Sequence, residues 1–177
     1  MKNSRVLVRL AIVSATSLVP SLSYAASATT TSTATVIEPI AITKAADLVF
    51  GDFAPGAGGD VTVATNGSRT ATGAILSTAG ATPTAAKFDV TGNADSTYSI
   101  STSAAASLSD SATTPNTMAL TVFSDLTGGG ATTGEVSSGT LSTGGTQSIY
   151  LGGKLTVGAT QVAGTYTGDV TVTVEYN

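Results

Sequence analysis

The chain has 177 residues, 10% of them charged and 5% aromatic, with 20 Gly, 21 Ser and 33 Thr and with no Cys, His or Trp. One domain is the expectation at this length. Without His there is no imidazole base, His-ligated metal or haem attachment, and without Cys there is no thiolate nucleophile, disulfide or zinc ribbon, so most enzyme classes fall away at once. Much of the 41% hydrophobic content is Ala, which leaves the core to scattered Val, Ile, Leu and a few Phe and Tyr. That supply suits thin layers such as two β-sheets, and abundant Val and Thr lean the same way. The expected fold class is all-β.

Lys2, Arg5 and Arg9 lead into an apolar run from Leu10 to Val19, followed by Pro20 and the small-residue stretch SLSYAASA. This is the pattern of a secretory signal peptide over residues 1–25, with cleavage after Ala25, or alternatively after Ala26 or Ala28. The run is shorter than the roughly 20 residues of a spanning helix, so export to the periplasm, cell surface or medium is expected, with no transmembrane segment in the mature chain. Beyond residue 25, Lys44, Arg69, Lys87 and Lys154 stand against eleven acids, a net charge of −7. No basic patch remains for a nucleic acid, and no basic amphipathic helix for an anionic membrane.

Residues 26–35 (ASATTTSTAT) hold nothing large enough to bury and read as a flexible arm, which leaves residues 36–177 as a single domain. Val36 to Ile42 is the first expected strand, interrupted by Pro39, which suggests a sheet edge or bulge. The short apolar stretch DLVFGDF (Asp47 to Phe53) closes on the loop APGAGG. Next, DVTVAT-NG-SRTATG predicts a hairpin with Val61 and Val63 on one face and two positive φ values at Asn66 and Gly67. Asn66-Gly67-Ser68 also matches a glycosylation acceptor, but the turn is the better reading. Further strands are expected at Ala74 to Thr78, at Lys87 to Thr91 with Phe88 and Val90 inward, and at Thr97 to Thr102 with Tyr98 and Ile100 inward. Met118, Leu120 and Val122 alternate likewise, and a turn is expected near Ala104 to Leu108. Ser124 to Gly139 reads as a long mobile loop. Strands resume at Gln147 to Leu151, at Lys154 to Val157 and at Asp169 to Tyr176, where Val170, Val172, Val174 and Tyr176 share a face opposite Thr171, Thr173 and Glu175.

Chemistry is sparse. No Ser-x-x-Lys spacing precedes Lys44, Lys87 or Lys154, and no nucleophile elbow, phosphate loop or dinucleotide fingerprint occurs. Asp47, Asp52 and Asp60, or Asp89 and Asp95, could supply paired carboxylates, yet sugar sites present aromatic faces that this chain lacks, and turn acids are the better reading. Asp52, Asp60 and loop carbonyls could hold calcium, but without EF-hand spacing. Neither a cofactor nor a catalytic residue is expected.

At PIAITKAADLVFGDF (Pro39 to Phe53), FDVTG (Phe88 to Gly92) and LTVGATQVAGTYTGDVTVTVEYN (Leu155 to Asn177), with DL-x-FG and G-x-Y-x-G in that order, the chain resembles the exported bacterial family catalogued as domain of unknown function 4402. The resemblance spans nearly the whole mature chain. It implies an immunoglobulin-like Greek-key β-sandwich of about seven to nine strands, links to pilus-type chaperone and usher systems, and no catalytic residues. The ending AGTYTGDVTVTVEYN is also similar to the close of spore coat protein U-type pilus subunits, from which the chain departs by lacking their Cys pair.

Pilus subunits of that type complete one another's sheets with a donated strand, a form of β-augmentation. Here the donor would be Val36 to Ile42, with Val36, Ile40 and Ile42 on one face broken by Glu38, unless that segment is the domain's own first strand. Val170, Val172, Val174 and Tyr176 mark the C-terminal strand that could take part in assembly. The expected function is a non-enzymatic, exported, pilin-like or cell-surface assembly subunit that self-assembles with the help of a periplasmic chaperone and usher. The alternative is a secreted ligand- or calcium-binding module whose loops Asp47 to Asp60 and Ser124 to Gly139 present the site.

Overall fold

Alternation of β-branched and small polar residues drives most of the chain into strands. The computed structural model describes residues 24–177 and holds twelve strands and no helix among them. In chain order they are β1 (Ala41–Ala46), β2 (Phe53–Ala54), β3 (Gly59–Val63), β4 (Arg69–Thr72), β5 (Ile75–Leu76), β6 (Ala86–Thr91), β7 (Thr97–Ala104), β8 (Ser107–Ser109), β9 (Thr117–Asp125), β10 (Ser138–Thr140), β11 (Thr146–Val157) and β12 (Val170–Tyr176). The all-β sandwich is as expected, but the strand count exceeds seven to nine, because β8 and β10 form where a turn and a loop are expected and the two-residue strands β2 and β5 pair as a separate ribbon. Residues 24–35 are exposed and carry no regular secondary structure, and the expected leader up to residue 23 lies outside the described residues. The sandwich itself is built from Val36–Asn177.

β11 is the spine of the large sheet. Along one edge it pairs antiparallel with β6 over Thr146–Leu151 and then with β3 over Gly153–Val157, while β9 runs along its other edge opposite Tyr150–Thr156. β1 extends the sheet beyond β6, β4 beyond β3, and β8 beyond β9. A smaller sheet in the order β10-β7-β12 forms a second layer, and β2 pairs with β5 as a two-stranded ribbon.

Inward residues of β11 feed two packed clusters. Ile149 and Leu151 meet Val90 of β6, Tyr98 and Ile100 of β7, Leu141, and Val172 and Val174 of β12. Leu155 and Val157 meet Val61 and Val63 of β3, Leu108 of β8, Met118 and Leu120 of β9, and Phe50. Each fully buried Leu, Ile or Val contributes on the order of 1.5–3 kcal/mol. Phe50 and Leu48 reach this core because Arg69 pins their segment: its guanidinium donates to the carbonyls of Phe50 at 2.9 Å, Asp52 at 3.1 Å and Ser77 at 2.6 Å.

Several local expectations change. The first strand starts at Ala41 rather than Val36, and the segment containing Pro39 precedes it. The Asn-Gly hairpin forms, but with a three-residue loop, since Ala64 N–H donates to Ser68 O and Gly67 N–H to Ala64 O, each at 2.8 Å. Only Gly67 has a positive φ, 83°, while Asn66 acts through its side chain, whose Oδ1 accepts the Ser68 N–H at 2.9 Å. This is the type I turn with a glycine bulge that three-residue hairpins favour. The two strands expected at 147–151 and 154–157 are one, β11, running straight through Gly152-Gly153.

The segment expected to be a mobile loop begins instead as part of β9, ends as β10, and is tied down between them. Asp125 accepts the amides of Thr127 (3.0 Å), Gly128 (2.6 Å) and Gly129 (3.0 Å) and the Thr65 hydroxyl (2.5 Å), and that hydroxyl accepts the amides of Gly130 and Ala131. Ser124 Oγ accepts the Val136 amide at 3.0 Å.

Candidate functional site

The strand residues singled out by alternation fall into two groups. Ile40 and Ile42 pack on the first core cluster; Ile42 sits in the domain's own first strand, opposite Val90 in the β1–β6 pair, and Ile40 immediately precedes that strand. Val36 is 96% exposed and Ile37 52% exposed, which leaves an apolar pair uncovered just before that strand. Val172 and Val174 are buried and Val170 and Tyr176 half-buried, all four on the inner face of β12. The Tyr176 hydroxyl accepts the Asn93 amide at 2.6 Å and donates to Glu38 O at 2.9 Å, tying the end of β12 to the segment that precedes β1.

Among the described residues β12 pairs only with β7, in the register Val170↔Ala104 to Tyr176↔Tyr98. Just beyond the pair, Ala105 N–H donates to Asp169 O and Asn177 N–H to Thr97 O. These bonds set the parity of the ladder: the odd-numbered residues of β12 bond to β7, and the N–H and C=O groups of Val170, Val172, Val174 and Tyr176 point to the opposite, unpaired edge. Side-chain alternation reveals the inner face of this strand. It carries no sign of which backbone edge is left open.

The other sheet edges carry protection that β12 lacks. β1 has a bulge between Lys44 and Ala46, with the Lys44–Asp47 ion pair at 2.6 Å beside it. β4 has four residues, β8 and β10 three each, and β8 is further bridged from Ser109 to Thr167. β12 has seven residues with no Pro, Lys or bulge.

A groove of about 850 Å³ opens beside the second core, between Asp47–Pro55 and Gln161–Val170, with Phe50, Leu108, Met118, Leu120 and Leu155 at its base. The loop following β9 takes no part in it, so only the first of the two loops expected to present a ligand contributes. Gln161 and Tyr166 brace one wall through a 2.8 Å hydrogen bond, and the Tyr166 hydroxyl donates to Val162 O at 2.7 Å.

The acids considered for catalysis or calcium are dispersed. Asp47 pairs with Lys44, Asp60 accepts the Thr156 hydroxyl at 3.1 Å, and Asp89 accepts the Ser148 hydroxyl at 2.7 Å beside Lys87 at 2.9 Å. The Ser148 and Lys87 bonds hold the Asp89 carboxyl below its ordinary range. Asp95 occupies a turn at φ 57°. Among the described residues no three acids, His or Cys gather into a metal-holding group, and no helix is long and apolar enough to cross a membrane.

No curated protein matches the chain. A family model described as Domain of unknown function (DUF4402) matches residues 40–176, from the residue before β1 to the last residue of β12. The match takes in both sheets, the groove and the open edge of β12, and the chain belongs to this family.

Proposed function

We propose that the chain is an exported, non-enzymatic structural subunit that assembles with copies of itself at the cell surface. The observation that carries this reading is the open edge of β12, a seven-residue, unbulged, alternating strand of the kind that monomeric proteins blunt. Support also comes from the leader-like N-terminus, a composition without imidazole or thiol, and the uncovered Val36-Ile37 pair. A periplasmic chaperone and usher of the pilus type are the partners such a subunit would need, to shield the edge before assembly. With Ile40 and Ile42 committed to their own core, a donated segment would have to lie upstream of Pro39.

The test uses residues 26–177, purified and followed by sedimentation over a concentration series. Concentration-dependent association, or a requirement for a co-expressed chaperone, is expected. A chain that refolds alone and stays monomeric up to millimolar concentration, with or without residues 26–35, overturns the reading.

The groove favours a second reading, a ligand-binding module, because its volume falls within the range of small-molecule sites. That reading requires a saturable rise in melting temperature with a glycan or divalent cation. A flat response across such a panel removes it.

A further inference from the structure

We propose that the partner at the open edge of β12 is β12 of a second copy, paired antiparallel about a two-fold axis through Thr173. This rests on the assembly reading above and specifies its geometry. The edge-pointing groups belong to Val170, Val172, Val174 and Tyr176, whose side chains also face the core. An incoming strand must match this parity, with its own even-numbered residues opposite these, or its inward side chains would face solvent. Placing Thr173 opposite Thr173 of the second copy satisfies it. Val172 then faces Val174, and Val170 faces Tyr176, in hydrogen-bonded pairs that continue the apolar row of the small sheet from one copy into the next. On the outer face Glu175 lies opposite Thr171.

The permitted slips are by two residues, and they are worse. One direction sets Glu175 against Asp169, like charges directly opposed. The other shifts the pairing toward the end of the strand, setting Thr171 opposite Asn177 and carrying Val170 past the end of the seven-residue ladder, so that fewer residues of β12 pair. Among the described residues no other edge of the sandwich offers a strand of comparable length without a bulge or a lysine. The strand is therefore its own best complement, as a two-fold interface requires. Such a dimer closes on itself, so anything larger would be built from it through a different surface.

The chain has no cysteine, which makes a single-cysteine experiment clean. Thr173 is exposed and would sit in a non-hydrogen-bonded pair with its symmetry mate, where Cα atoms approach to about 4.5 Å, within disulfide reach. On mild oxidation of residues 26–177, Thr173→Cys should form a covalent dimer nearly quantitatively. Thr171→Cys alone should not, whereas Thr171→Cys combined with Glu175→Cys should. Thr173→Lys, with two ammonium groups opposed at the axis, should weaken the wild-type dimer at least tenfold by sedimentation while leaving the monomer's circular dichroism unchanged. If the chain associates but Thr173→Cys fails to cross-link, or Thr171→Cys alone cross-links, the two-fold is wrong while assembly survives. If the wild-type chain never associates, both fall.

Discussion

At the scale of single residues, the chemistry of this chain is spent on holding loops. Thr65 is fully buried, yet its hydroxyl donates to Asp125 and accepts two amides from the chain beyond, joining the β3–β4 turn to the loop after β9. Burial pushes the Asp125 carboxyl up, but the Thr65 hydroxyl and the amides of Thr127, Gly128 and Gly129 together outweigh it and hold the group below its ordinary range. A carboxyl whose folded pKa lies below its unfolded value stabilises the fold fully above the unfolded value of about 4, and loses that contribution as pH falls through the folded one. Asp125→Asn should therefore be less stable than wild type at neutral pH, and the gap should narrow on acidification towards pH ~3. Urea unfolding across that range measures it, and parallel stability curves would refute the assignment. Asp89 and Asp110 are also lowered, each first of all by a side-chain hydrogen bond, from Ser148 and Asn116 respectively, so some acid sensitivity should persist in the variant. The sequence places Asp125 beside a glycine run, which marks a turn acid. Nothing marks Thr65 as its partner, because sixty residues separate them.

At the scale of elements, strands with clean alternation were legible and strands that serve two layers were not. β12, β7 and the inward faces of β6 and β9 follow from period-two patterning because each packs one face on one core. β11 defeats that reading, since Gly152-Gly153 looks like a break. Its glycines are there because packing on both faces leaves no room for a side chain: a Cβ on Gly152 would lie 2.3 Å from Phe123 Cε2 and 2.5 Å from Val63 O, and one on Gly153 would lie 2.9 Å from Phe50 Cζ. Gly152→Ala should thus destabilise by about 1–3 kcal/mol through overpacking. At Gly144 the nearest atom is 3.7 Å away and φ is ordinary, so Gly144→Ala should stay within about 0.5 kcal/mol of wild type. Equal losses at the two positions in denaturant titrations would mean that backbone entropy, and not the close approach of Phe123, keeps glycine in the spine. The same limit explains the candidate site. Alternation exposes side-chain faces, whereas an open edge is a property of backbone pairing and becomes visible only once β7 is known to take the odd-numbered amides of β12.

At the scale of the whole molecule, charge would set the terms of the proposed self-association. Residues 26–177 carry four bases and eleven acids, a net −7, and no basic surface is available to offset this between identical partners. Two copies approaching edge to edge repel at long range, while the contacts that reward them, main-chain hydrogen bonds and the valine row of β12, act only at touching distance. Screening should separate these contributions. The Debye length shrinks from about 30 Å at 0.01 M salt to about 8 Å at 0.15 M, so added salt should remove most of the repulsion and leave the strand pairing nearly untouched. Self-association should consequently tighten as salt rises, and an interface held mainly by ion pairs would do the opposite. Glu175→Gln removes one negative charge from each strand at the interface, so the variant should associate more tightly than wild type in low salt and converge with it in high salt. Sedimentation at two ionic strengths decides the point: dimerisation that weakens with salt would show that the copies meet through charged surface elsewhere on the sandwich and not along the uncharged inner row of β12.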